Sequence, residues 1–269
     1  TAMIDFMAAT SSNPETVMMA PVMVALTTSL PGKTLGFNAS VMVEDALSGD
    51  AATPADYTFA TTSVMYSAGD GMGASAQRTI NVTVADDNDI ENAETVDLQF
   101  QAASLMTAGP AFSALVTVGA TQNSHTKTIE ATDQATIQFM TATASNAEGA
   151  MGVNTPIMAV AQLSLNGFNL TVPVNVLATY DVGNSTATNN DDVQNFTAQA
   201  INFAATASDG DTVNLTVTIV GDDNVEPDET AIINLVPVAN NPVNTGGNPD
   251  FTLTITNDDA TGSAPTFLT

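Results

Sequence analysis

Apolar and polar residues alternate along most of the chain with the period of two that is typical of β-strands with one buried face. Clear examples are the segments Ala2 to Ala8, Gln77 to Ala85 and Phe251 to Ile255. β-branched residues dominate, turn residues separate the segments, and no stretch shows a helical period of about 3.6 residues. The pattern therefore predicts an all-β fold.

The pattern of the first half of the chain returns in the second half. Residues 135–140 (ATIQFM) match residues 2–7 (AMIDFM), and Asn146-Ala147-Glu148 matches Asn13-Pro14-Glu15. Short strands separated by turn signals at this spacing predict an antiparallel β-sandwich in each half. We therefore expect two tandem sandwiches, at 1–133 and 134–260, followed by a C-terminal tail at 261–269 that can link subunits.

An acidic loop occupies the same place in both repeats. In the first, Asp87, Glu91 and Glu94 fit the frame D-x-x-x-E-x-x-E-T, and in the second Asp222, Glu226 and Glu229 fit it. Carboxylates this close repel one another, and no Lys or Arg lies near those of the second loop in the sequence. A solvated acidic turn is the plain alternative, but two copies between matching strands favour a hard divalent cation held by oxygen ligands.

Composition narrows the possible partners. The chain has 3 basic and 29 acidic residues among 269, a formal net charge of −26, so nucleic acid and anionic membrane surfaces are not expected partners. Because only 12% of residues are charged and 44% are hydrophobic, the chain is expected to form cores rather than an acidic tail. No apolar run approaches about 18 residues, so we expect no membrane insertion.

The two halves resemble tandem Calx-β domains, the immunoglobulin-like module of sodium–calcium exchangers and of many bacterial surface proteins. Four features in order carry the resemblance: a Glu after the first strand, an Asp-Tyr element, the acidic loop, and a terminal strand ending in Asp residues. The resemblance implies Ca²⁺ bound by acidic residues at one end of each sandwich. In the first repeat the implied ligands are Glu15, Asp56, Asp86, Asp87, Glu91, Glu94, Asp133 and the backbone carbonyl of Asp89. In the second repeat they are Glu148, Asp222, Asp223, Glu226, Glu229, Asp258 and Asp259.

Both repeats depart from the family pattern. The first keeps one terminal acidic residue, Asp133, and the second has Asn195-Phe196 where the Asp-Tyr element is expected, although Asp191 and Asp192 lie just upstream. The donor chemistry still favours Ca²⁺, which accepts flexible carboxylate ligands, over Mg²⁺, which demands a tighter octahedron. Zinc would call for His or Cys ligands, and the chain has one His and no Cys.

Enzymatic activity is not expected. The one histidine, His125, has no evident nucleophile partner in the sequence, and no phosphate loop or nucleophile elbow occurs. We expect an extracellular, calcium-stabilised structural protein of the cell surface, such as a filament subunit that associates head-to-tail. Two alternatives stay open: a fragment of a long repeat adhesin with neighbouring repeats, and a calcium-sensing regulatory module.

Overall fold

The computed structural model describes residues 1–53, 55–71, 73–109, 112 and 114–259, and their regular secondary structure is almost entirely β-strand. The chain divides into two compact units. The first unit comprises Thr1–Asp87 and Asn92–Thr132, and the second comprises Asn88–Glu91 and the chain from Asp133 onward. The predicted tail at 261–269 lies outside the described residues.

In the first half of the chain the strands follow one another closely. They are β1 (Ala2–Phe6), β2 (Thr10–Pro14), β3 (Met19–Thr28), β4 (Ala39–Asp45), β5 (Tyr57–Thr58), β6 (Thr62–Tyr66), β7 (Gln77–Val84), β8 (Asp89–Ile90), β9 (Glu94–Thr107), β10 (Val116–Val118) and β11 (Ser124–Glu130). A short 3-10 helix, Gly73–Ala76, precedes β7. The first unit has one sheet in the order β10-β1-β3-β7-β5 and a second in the order β2-β11-β9-β4-β6.

The second half repeats this arrangement. Its strands are β12 (Ala135–Phe139), β13 (Thr143–Ala147), β14 (Asn154–Ser164), β15 (Asn169–Leu170), β16 (Val174–Tyr180), β17 (Gln199–Phe203), β18 (Thr212–Val220), β19 (Glu229–Pro237), β20 (Val243–Thr245) and β21 (Asp250–Thr256). They form the sheets β18-β14-β12-β20 and β13-β21-β19-β16-β17, and β15 pairs with β8.

Alternation places every second residue of most strands in a core between the two sheets of each unit. In β1, for example, Ala2, Ile4 and Phe6 are buried, whereas Met3 is exposed. Each unit has its own cluster of buried apolar side chains. The predicted fold class, all-β with two β-sandwiches, is therefore confirmed.

In each unit the chain passes from one sheet to the other after its first strand. This brings the second strand of the unit beside its last strand. β1 joins one sheet of the first unit, and β2 then pairs parallel with the last strand, β11, of the other sheet. In the second unit β13 pairs parallel with β21 in the same way. Pro14 is accommodated at the end of the edge strand β2. No helix among the described residues has the length and apolar character needed to cross a membrane.

Candidate metal centre

Three carboxylates of the second unit meet where the strands end. Glu148 directly follows β13, Asp259 follows β21, and Asp222 follows β18. Because β13 and β21 run parallel, with Ala147 opposite Thr256, the chain leaves both strands at the same edge. One carboxylate oxygen from each of the three residues lies within 4.8 Å of the other two.

Glu148 is the buried member of this cluster. Its side chain is only 3% exposed, and one of its oxygens accepts a hydrogen bond of 3.3 Å from the backbone amide of Asp222. Burial, and then the negative charge of Asp222, raise the pKa of Glu148 to about 7. Among the described residues the one salt bridge joins Arg78 to Asp70 in the first unit, so no basic side chain compensates these charges.

Three further acidic residues of the second unit extend the cluster. Burial and a hydrogen bond with Asp192 raise the pKa of Glu229 to about 7, and two carboxyl groups can share such a bond only when one is protonated. The pKa of Glu226 is raised by burial and by the charges of Asp192, Asp222 and Asp259. The group thus takes up protons where no cation neutralises it.

The oxygen atoms of this region fit a cation. Oδ2 of Asp259 is buried and accepts no hydrogen bond from any described residue. Burial and the charges of Asp223, Asp258 and Asp222 raise the pKa of Asp259. A buried carboxylate oxygen without a donor costs free energy, and a cation removes that cost by coordination.

Backbone amides hold the neighbouring carboxylates in place. Asp222 accepts from the amide of Asn224 at 2.6 Å, Asp223 from Met151 at 3.2 Å, and Asp258 from Gly149 at 3.1 Å. Asp223 and Asp258 are exposed, whereas Asp222 is half-buried. Of these, only Asp222 is a member of the three-carboxylate cluster.

Sequence reasoning did not include Asp192 among the ligands. The backbone amide of Asp192 donates to Thr188, and its carboxylate accepts from the Thr188 amide. Asp56 forms the same turn with Ala52. Asp192 is therefore the counterpart of Asp56, and matching Asn195-Phe196 to the Asp-Tyr element was wrong. The correct signal was the Asp followed by a buried apolar residue, Val193.

The first unit has a less charged edge. Asp56 and Glu94 have carboxylate oxygens within 4.8 Å of each other. Glu15, 2% exposed, accepts two hydrogen bonds from Thr132, one from the backbone amide at 2.5 Å and one from the hydroxyl at 2.8 Å. Its counterpart Glu148 has Asp258 at the position of Thr132.

The remaining predicted ligands of the first repeat are distributed differently. Asp86 is exposed and Asp87 half-buried in the loop after β7. Asp89, Glu91 and Asp133 are part of the second unit, where Asn169 donates to the Asp89 carboxylate at 2.9 Å. The first-repeat ligand set as a whole stays a prediction.

No protein-family model matches the chain, and no curated protein matches it. Among solved structures, the crystal structure of CBD12 from CALX1.2 is 12% identical, with 94% of this chain and 99% of that chain covered and a TM-score of 0.40. The crystal structure of the calcium binding domain CBD12 of CALX1.1 gives the same values. A two-domain protein with unknown function from Bacteroides fragilis is 10% identical, with coverages of 96% and 93% and a TM-score of 0.32. Similarity at this level assigns no ligand to this chain.

Proposed function

We propose that the chain is a calcium-stabilised structural protein whose second unit binds Ca²⁺ at Glu148, Asp222 and Asp259. The observation that carries this proposal is the meeting of these three carboxylates, one of them buried, with no salt bridge to a basic side chain of the described residues. Asp192, Glu226 and Glu229 contribute further negative charge to the same cluster.

The donor set decides which cation fits. It consists of carboxylates on loops, which suit the flexible shell of about six to eight oxygens around Ca²⁺ better than the strict octahedron of Mg²⁺. A bound divalent cation would keep Glu148 and Glu229 ionised at neutral pH, because it supplies the positive charge that protons supply in its absence.

Calorimetric titration of the full chain with CaCl₂ after chelation tests the proposal. We expect a dissociation constant for Ca²⁺ in the range of calcium-dependent proteins. We also expect Tm to increase with free calcium and protons to be released on binding. The variant Asp222→Asn combined with Glu148→Gln should abolish this response. A Tm that is the same in chelator and in millimolar calcium would contradict it.

A variant with a smaller expected effect tests whether Asp192 contributes to calcium affinity. Asp192→Asn keeps an oxygen for the Thr188 amide but removes one charge, so we expect calcium affinity to fall about tenfold, which is about 1.4 kcal/mol. Asp191→Asn, one residue away and outside the cluster, is the matched control and should leave affinity unchanged. Equal losses in both variants would assign the effect to overall charge.

The wider biological role is proposed from composition. Three basic residues in 269 leave few cleavage sites for trypsin-like proteases, which suits an extracellular surface protein in calcium-containing surroundings. We propose that such a protein self-associates head-to-tail. Sedimentation of the full chain at high concentration should then show calcium-dependent polymers. A monomer under all conditions would favour the adhesin fragment or the regulatory module.

A further inference from the structure

The interior of the first unit contains a lysine and a histidine side by side on β11. Lys127 is 1% exposed and His125 is 3% exposed, and both point into the sandwich with the apolar core residue Ile129. In the register of β2 and β11, Lys127 lies opposite Ser11 and Ile129 lies opposite Asn13. Ser11 and Asn13 are half-buried, so a polar group of side chains fills this edge of the core.

The second unit shows that the fold does not require this polar group. Its strands β13 and β21 pair in the same register, where Leu253 lies opposite Ala144 and Ile255 lies opposite Asn146. Three polar residues of the first unit therefore have apolar counterparts in the second. Lys127 corresponds to Leu253, His125 to Phe251, and Ser11 to Ala144. Because burying an ammonium group costs far more than burying a leucine, the lysine of the first unit calls for an explanation beyond packing.

The ammonium group of Lys127 forms hydrogen bonds with three neighbouring residues. The Nζ atom donates to Oδ1 of Asn13, to Oγ of Ser11 at 3.1 Å and to the carbonyl of Pro21 at 3.3 Å. No carboxylate of the described residues forms a salt bridge with it. Burial lowers the pKa of Lys127, which increases the fraction of nucleophilic free amine. An amine is thus held against the side-chain amide of Asn13 inside the protein.

The polar side chains around Lys127 also form a chain of hydrogen bonds through which its ammonium group can lose a proton. Nδ1 of His125 lies 2.8 Å from the carbonyl oxygen of Ala8, which can only accept, so Nδ1 bears the hydrogen. The other ring nitrogen, Nε2, is then an acceptor for the hydroxyl of Ser11 at 2.9 Å. Burial lowers the pKa of His125 and keeps the ring neutral. Lys127 donates to Ser11, and Ser11 donates to His125.

We propose that Lys127 and Asn13 react to form an intramolecular amide bond that joins β2 to β11. A proton of the Lys127 ammonium passes through the Ser11 hydroxyl to Nε2 of His125, and the free Nζ attacks Cγ of Asn13. The Nζ–Cγ bond forms, the Cγ–Nδ2 bond breaks, and the amide nitrogen takes a proton from Nζ to leave as ammonia. His125 then gives its proton to the ammonia, so one ammonium ion is released and no oxidant or cofactor is consumed.

Trypsin gives a direct test on the full chain, because its only cleavage sites are Lys33, Arg78 and Lys127. An acylated Lys127 is not cleaved, so digestion of the denatured protein should release 34–78 and leave 1–33 covalently attached to 79–269. The intact mass should be lower than the sequence mass by one ammonia. A full sequence mass together with cleavage after Lys127 would overturn the proposal.

Variants separate the reacting groups from the proton route. Asn13→Ala and Lys127→Met should both restore the full mass. Asn146→Ala, the equivalent change in the second unit, should leave the loss of ammonia unchanged. Ser11→Ala should slow the appearance of the amide in freshly expressed protein by about 10²-fold, the usual contribution of a positioned proton carrier. Amide formation at the rate of the unaltered protein in Ser11→Ala would overturn the assigned relay.

Discussion

Two edges of the molecule share one backbone arrangement but carry side chains of opposite character. One is formed by β2 and β11, and the other by β13 and β21. In the first unit the core side is polar, with Lys127 and His125, while the buried Glu15 at the strand end is satisfied by Thr132. In the second unit the core side is apolar and the strand end gathers uncompensated carboxylates. The backbone register thus determines where side chains meet, and the residues at those positions determine whether the edge gathers carboxylates or a buried amine.

The largest effect is expected from giving the second unit the lysine of the first. Leu253→Lys places an ammonium group opposite Ala144 without the hydroxyl that Ser11 offers, so the second unit should lose about 3–5 kcal/mol of stability. Urea unfolding followed by far-UV circular dichroism measures the loss. Leu253→Met is the size-matched control and should cost less than about 1.5 kcal/mol. A lysine tolerated as well as methionine would show that this edge does not discriminate against charge.

An intermediate effect is expected from pH in the presence of chelator. The folded-state pKa of Glu148 is about 7, above its usual 4.5, so the folded state binds the proton more tightly than the unfolded state. The resulting stability is present below about pH 4.5 and is lost as pH rises through about 7. Scanning calorimetry should show the Tm of the second unit falling across this window, and calcium should oppose the fall.

Two variants isolate the contribution of Glu148 to that profile. Glu148→Gln should flatten it and raise the chelated Tm at pH 7.5 by roughly 2–8 °C, corresponding to about 1 kcal/mol. Glu15→Gln keeps an oxygen for the two hydrogen bonds from Thr132 but removes the charge that strengthens them, so it should lower Tm instead. The same sign of change in both variants would remove the contrast between the two strand ends.

The smallest effect is expected from Thr132→Val in the first unit. The change removes one hydrogen bond to the buried Glu15 and keeps the backbone donor, so it should cost about 0.5 kcal/mol in calcium and in chelator alike. Thermal unfolding under both conditions measures it. A cost that appears only in chelator would indicate that Glu15 is satisfied by a cation rather than by Thr132.

Much of the fold could be predicted from the sequence because alternation follows directly from burial of one strand face. The aligned acidic loops likewise placed Asp222 and Glu229 in one region. Two features could not be predicted this way. Asp192 was missed because the aromatic Phe196 was aligned to Tyr57, whereas the structure matches the turn that contains the aspartate.

The other feature depends on packing between distant segments. Ile90 and Val225 occupy the same position of the two acidic loops, yet Ile90 is fully buried in the second unit and Val225 is 50% exposed. The local sequences around these two apolar residues match, so they do not predict the difference in exposure. The difference arises from the pairing of β8 with β15. Lys127 is a similar case, since a lysine among threonines on a strand predicts an exposed side chain.

The parallel pairing of β2 with β11 has a mechanical consequence. When the two ends of the first unit are pulled apart, parallel neighbouring strands slide along each other, and their ladder from Thr10 to Pro14 is loaded in shear, with all its bonds sharing the load. An amide between Asn13 and Lys127 would carry that load through covalent bonds and shield the residues between them from extension. Force applied to the two ends of the chain would then pass across the first unit without unfolding it, while the second unit would remain extensible.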